Sequence, residues 1–94
     1  DSFHTMKAAF KAFEVVRAMA ETGNPNSVTD AGVGALCARS AVIGAHLNVK
    51  INAASLKDEA CKTEILKEAA EIEAAALVQE AEILQIVNKV IQGE

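Results

Sequence analysis

Asn24, Asn26, Ser27, Thr29 and Asp30 crowd into one short polar segment of a 94-residue chain. Backbone N–H groups at a helix start form a ready anion site, and Asp30 is the only carboxylate nearby. Two readings stand side by side. Ser27 to Asp30 spells S-x-x-D, a capping-box variant that would do no more than start a helix; alternatively, Asn26 and Asp30 face a pocket and orient a polar heterocycle. Further along, Asn48 and Asn52 are four residues apart and share one helical face. Asparagine is a poor helix former, so the pair invites a hydrogen-bonding role toward a neighbouring helix or a ligand. Arg39 sits among small apolar residues, placed to answer a carboxylate of another helix or the acidic tail of a ligand. His46 falls on a different face from the asparagines and reads as a solvated or core-satisfied histidine. His4 reads as solvated.

Other chemistries find no support in the residue pattern. Cys37 and Cys61 are isolated, with no CxxC pair, and two histidines at these spacings complete no zinc site. We expect free buried thiols and no metal. The acidic run Glu64, Glu68, Glu71, Glu73, Glu80 and Glu82 reads as a solvated helix face. No nucleophile triad or phosphate-cradling glycine loop is present. The net charge is −4 with no basic cluster, which argues against nucleic acid. Apolar runs are too short to suggest a bilayer span, and the opening Asp1-Ser2-Phe3-His4-Thr5 has neither the charged nor the apolar region of a secretory signal. A cytoplasmic location is expected.

The elements that must position these groups are helical. Phe3, Met6, Phe10, Phe13 and Ala20 form one stripe at three- and four-residue steps, predicting a helix over about 3–22. Gly23 supplies a C′ residue and Pro25 forbids continuation. A second helix is predicted over about 28–53, starting at the Ser27–Asp30 signal, and a third over about 58–91, capped by Ser55 or Asp58. Leu47 to Asn52 alternates apolar and polar, but it continues a helical pattern and has no second strand to pair with. The fold class is all-α, a long-helix antiparallel bundle. Nineteen alanines and only three phenylalanines imply a thin core with closely packed helices. Gly32, Gly34 and Gly44 each weaken the middle helix by roughly 1 kcal/mol relative to Ala, for which close helix packing and close approach of a ligand are the two accounts. The seam Ile65, Ala69, Ile72, Ala76, Gln79, Ile83, Ile86 and Val90 runs along a third helix longer than this chain needs to cover itself, so we expect it to pack on another chain or segment.

The run Gly23-Asn24-Pro25-Asn26-Ser27-Val28-Thr29-Asp30-Ala31-Gly32-Val33, followed by Ala35-Leu36, Ala38-Arg39, Gly44-Ala45-His46-Leu47-Asn48-Val49-Lys50-Ile51-Asn52 and Leu56-Lys57-Asp58, closely resembles the formimidoyltransferase-cyclodeaminase family and its stand-alone bacterial methenyltetrahydrofolate cyclohydrolases. The likeness runs from about Phe3 onwards. It implies an all-helical cytoplasmic domain about twice this length, assembled as a dimer. The implied work is in one-carbon metabolism: closure of 5-formiminotetrahydrofolate to 5,10-methenyltetrahydrofolate with release of ammonia, or hydrolysis of the methenyl bridge. The substrate would be a tetrahydrofolate derivative, with no metal.

Carried over onto this sequence, the resemblance makes Asn26, Asp30, Asn48, Asn52 and Arg39 the substrate-binding candidates and Asp30 a possible catalytic carboxylate. The family's N-terminal half, with its P-G-G-G-S segment and acidic motif, has no counterpart here. Residues 1–94 therefore read as the C-terminal half of such a domain, inactive alone, with the main acid/base group elsewhere. The alternative reading is a non-catalytic helical dimerisation module.

Overall fold

Each helix begins on a side chain that accepts a backbone hydrogen bond, which satisfies one of the donors a helix start leaves open. In the computed structural model, which describes residues 1–93, Asp1 accepts from the His4 N–H and opens α1 (Ser2–Glu21). Asn24 accepts from the Asn26 N–H and opens α2 (Pro25–Ala53). Asp58 accepts from the Cys61 N–H and opens α3 (Glu59–Ile91). No strand occurs among the described residues, and Leu47–Asn52 is helix.

The start of α2 differs from the sequence expectation. The cap is Asn24, not Ser27, because Pro25 at the first helical position has its φ already set and lacks the N–H that would need a partner. Ser27 and Asp30 thus lie inside the helix rather than capping it. The Gly23 expectation holds: it has φ of 68° and closes α1 with its N–H on the Ala20 carbonyl.

The three helices lie along one another in a rod of 54 × 17 × 15 Å. The α1 stripe turns inward through Met6, Phe13, Val16 and Ala20. The α3 seam also faces this chain's own core: Ala69, Ala76 and Ile83 are buried, and Ile65, Ile72, Ile86 and Val90 pack partly buried against the cluster. The expectation that this seam needs another chain is thus not required by its packing.

The register between α2 and α3 is antiparallel and repeats by heptads. Gly32 faces Val87, Arg39 faces Glu80 and His46 faces Glu73. Each step moves one heptad forward on α2 and one back on α3, the spacing that keeps a seam facing its partner. Two of the three helical glycines are explained by packing. A Cβ on Gly32 would lie 3.4 Å from Val87 Cγ1, and one on Gly34 would lie 3.0 Å from Val16 Cγ2. A Cβ on Gly44 would meet nothing within 4 Å.

Helix α2 carries apolar residues on both its inner and its outer side. By length and composition alone it could cross a membrane, which the short apolar runs had not suggested. Here it is the central helix of the bundle, with Arg39 and His46 paired to α3. Val33, Leu36, Leu47 and Ile51 on its opposite side are exposed.

Candidate functional site

One end of the rod collects the first residues of α1, the last turn of α2, the following loop and the start of α3. Antiparallel pairing of α2 with both neighbours forces this convergence. Between them lies a cavity of about 210 Å³, lined by Asp1, Ser2, Phe3, Val49, Asn52, Ala53, Leu56 and Ile65. Its walls are mostly apolar, contributed by Phe3, Val49, Leu56 and Ile65. The Asn52 amide is the polar group on the α2 side and donates to Ser2 Oγ at 2.8 Å. That bond ties the end of α2 to the start of α1 and leaves the Asn52 carbonyl oxygen, which can accept two hydrogen bonds, for a second partner. Asp1, the lining carboxylate, is engaged as the α1 cap.

A second hollow of about 210 Å³ lies in the groove between α1 and α3, lined by Phe10, Phe13, Glu14, Arg17 and Gln79. Its cation is occupied. Arg17 Nε and Nη2 donate to Gln79 Oε1 at 3.1 and 2.8 Å, and Nη2 also reaches Glu82 at 2.6 Å. The Arg17 contacts tie α1 to α3, so the hollow offers an anionic ligand no free cation.

Of the five residues singled out from the sequence, Asn52 alone lines either of these two hollows. Asn26 and Asp30 are exposed at the far end of α2, more than ~30 Å from Asn52 at 1.5 Å per residue. Asn48 is exposed on the side of α2 away from both other helices. Arg39 pairs with Glu80: its Nε lies 3.0 Å from Glu80 Oε2. This is a charge contact without an aimed hydrogen bond, since that buried oxygen accepts none. Asn26 and Asp30, like Asn48 and Asn52, lie one turn apart on α2, but the structure gathers these two pairs and Arg39 into no common site.

Several expectations about polar residues need correction. His46 is buried, and its Nδ1 stands 2.8 Å from Glu73 Oε1. A carboxylate only accepts, so facing an ionised Glu73 the imidazole carries its hydrogen on Nδ1. His46 is therefore core-satisfied, the second of the two readings it was given. The acidic run is not uniformly solvated, because Glu73, Glu80 and Glu82 are each paired across an interface. Both cysteines are exposed rather than buried, since the thin core is filled by alanine and by side chains of neighbouring helices. No group of three potential metal ligands occurs among the described residues.

The site residues that sequence reasoning missed are Ser2, Phe3, Leu56 and Ile65. Their common signal is position at helix ends that antiparallel pairing must bring together. The His46–Glu73 pair had a plainer signal: Arg39 and His46, like Glu80 and Glu73, are one heptad apart.

The family model described as formiminotransferase-cyclodeaminase matches residues 2–71. A methenyltetrahydrofolate cyclohydrolase of Methylorubrum extorquens is 41% identical over 58 residues, covering 62% of this chain and 28% of that relative's length. The match thus spans less than a third of that protein. No solved structure matches.

Proposed function

Because the chain belongs to the formiminotransferase-cyclodeaminase family, we propose that it serves folate one-carbon metabolism by forming one wall of a reduced-folate site, with methenyltetrahydrofolate hydrolysis as the first reaction to test. The observation that carries this reading is the 41% identity to a methenyltetrahydrofolate cyclohydrolase. The matched family's own description supports a second reading: closure of 5-formiminotetrahydrofolate to the 5,10-methenyl form with loss of ammonia. The two are chemically close. In hydrolysis, water adds to the methenyl carbon and one carbon–nitrogen bond breaks to leave a formyl group. In cyclisation, N10 adds to the formimino carbon and ammonia departs. Both require proton transfer at nitrogen, which a positioned acid or base accelerates by about 10²–10⁴.

The cavity beside Asn52 supports the binding part of this reading. Phe3, Val49, Leu56 and Ile65 offer apolar contact to a ring face, and the Asn52 amide offers a polar edge. At about 210 Å³ it is below the roughly 300–1,000 Å³ typical of pockets for drug-sized ligands. It therefore takes one end of a folate, and the rest extends over surface supplied by a neighbouring chain or segment. Asn26, Asp30 and Asn48 contribute only where such a surface is laid against them. We assign the principal acid/base group to residues outside these 94, so the chain alone turns over neither substrate.

Calorimetric titration with 5,10-methenyltetrahydrofolate and with 5-formiminotetrahydrofolate tests this. Binding is expected, and Asn52→Ala should weaken it by about tenfold, roughly 1.4 kcal/mol. If neither folate binds, or if binding is indifferent to Asn52, the reading fails.

A further inference from the structure

Resting on the folate reading of the cavity beside Asn52, we propose that this cavity takes the pterin end of the molecule and that Asp1 selects that end by accepting from the pterin 2-amino group. The cavity measures about 210 Å³, too small for a whole folate, so it discriminates between two chemically different ends. The pterin is a flat pair of fused rings whose edge donates through its 2-amino group and N3–H and accepts at O4. The other end is a benzoylglutamate, and its carboxylates only accept.

The polar part of the lining is one connected group drawn from two helices. Asp1 and Ser2 stand at the start of α1, and Asn52 reaches them from the last turn of α2 through its bond to Ser2 Oγ at 2.8 Å. Asp1 Oδ1 accepts from the His4 N–H at 2.8 Å, while Oδ2 accepts from no group among the described residues. Ser2 Oγ accepts from Asn52 and keeps its own hydrogen to donate. Asn52 Oδ1 is free to accept. This side of the cavity therefore presents two acceptor oxygens, one of them on a carboxylate, and one hydroxyl donor. That set is complementary to an edge with two donor groups and an acceptor.

The benzoylglutamate end fits badly. No lysine or arginine side chain lines the cavity. A ligand carboxylate brought in would face Asp1, a like charge, with no cation to offset its desolvation. The rest of the lining, Phe3, Val49, Leu56 and Ile65, gives apolar contact to ring faces. A site built to accept from a ligand N–H rejects an analogue that lacks it, because its own acceptor is then left unpaired. Asp1 is exposed, so water competes for its oxygen, and the selection it exerts is about tenfold rather than the ~10⁴–10⁵ of a fully buried site.

The test is calorimetric titration of the 94-residue chain with four probes: 5,10-methenyltetrahydrofolate, pterin, lumazine and p-aminobenzoylglutamate. Lumazine carries an oxo group in place of the 2-amino group. Pterin should bind and compete with the methenyl folate, and p-aminobenzoylglutamate should do neither. Lumazine should bind about tenfold more weakly than pterin. The discriminating variant is Asp1→Asn. Asparagine caps a helix as well as aspartate does, so thermal unfolding should not move, but its amide nitrogen can donate to an oxo group. Asp1→Asn should thus weaken pterin and not lumazine, closing the gap between them, whereas a purely structural loss would weaken both alike. A methenyl folate that binds while pterin does not overturns the assignment of the cavity and leaves the folate reading standing. So does competition by p-aminobenzoylglutamate, or a pterin-to-lumazine ratio unmoved by Asp1→Asn. If no folate binds at all, the folate reading and this assignment fall together.

Discussion

Along its inner face α2 meets α3 through Gly32, Arg39 and His46; along its outer face Val33, Leu47 and Ile51 meet only solvent. Two polar side chains of the helix, Arg39 and His46, are thus taken into a packed face, while several of its large apolar ones are exposed. The buried line Val28, Ala31, Ala35, Val42 and Val49 marks the core as usual, and a second apolar set lies outside it. What decides burial here is whether the facing helix supplies a partner. His46 is buried because Glu73 stands one hydrogen bond away, and a buried polar group with a partner avoids most of the desolvation cost. Leu47, its sequence neighbour, is exposed because the three helices surround only one side of α2. The inner face is complete, and the outer face is a surface that another surface can complete.

The sharpest way to break this contrast is to truncate the two neighbours separately. His46→Ala leaves Glu73 without its partner and opens a void between α2 and α3. Breaking one side of a buried pair typically costs 3–5 kcal/mol. Because the Glu73 side chain remains 31% exposed and water can reach it, about 3 kcal/mol is expected. Leu47→Ala should cost less than about 0.5 kcal/mol. Urea unfolding at concentrations too low for association measures both. Equal losses would mean the outer face is buried in the folded monomer and the contrast is false.

The glycines give a second contrast, in sign rather than size. An alanine Cβ at position 34 must push Val16 aside from 3.0 Å, so Gly34→Ala should destabilise by about 1 kcal/mol even after its helix-propensity gain. Gly44→Ala meets nothing and should stabilise the dilute monomer by up to about 1 kcal/mol. Thermal unfolding of the two variants decides it, and a shift of the same sign in both would remove the distinction between a packed and an open glycine.

How far the sequence led can be argued from the same residues. The α1 stripe, the α3 seam and the Gly23–Pro25 break are periodic or conformational signals within one segment, and the structure bears them out. Burial of individual polar groups depends on register between segments, which no single segment encodes; hence His46 remained open between two readings and Glu73 was assigned to solvent. The cavity beside Asn52 needed both the antiparallel pairing and the helix lengths. The start of α2 failed for a local reason, since two polar residues compete to cap it and Pro25 settles the choice. Asn24→Ala should therefore cost about 1 kcal/mol and Ser27→Ala almost nothing, by the same unfolding assay; the reverse result would restore the helix start at Ser27.

The smallest expected effect tests whether the inner face works as one unit or as separate pairs. Arg39 and Glu80 occupy the heptad beside His46 and Glu73, yet Arg39 Nε is not aimed at the buried Glu80 oxygen, and its side chain is 37% exposed. A half-exposed charge contact without hydrogen-bond geometry is worth little, about 0.5 kcal/mol. Arg39→Met keeps most of the aliphatic stem that lies along α3, so little packing is lost with the charge. Replacing both partners by apolar residues, Arg39→Met with Glu80→Leu, should be neutral or slightly stabilising, because it also removes a buried oxygen that accepts no hydrogen bond. A loss near that of His46→Ala for the single Arg39 variant would mean that the two pairs act cooperatively, so that the inner face is held by a network rather than by the one histidine that is both buried and bonded.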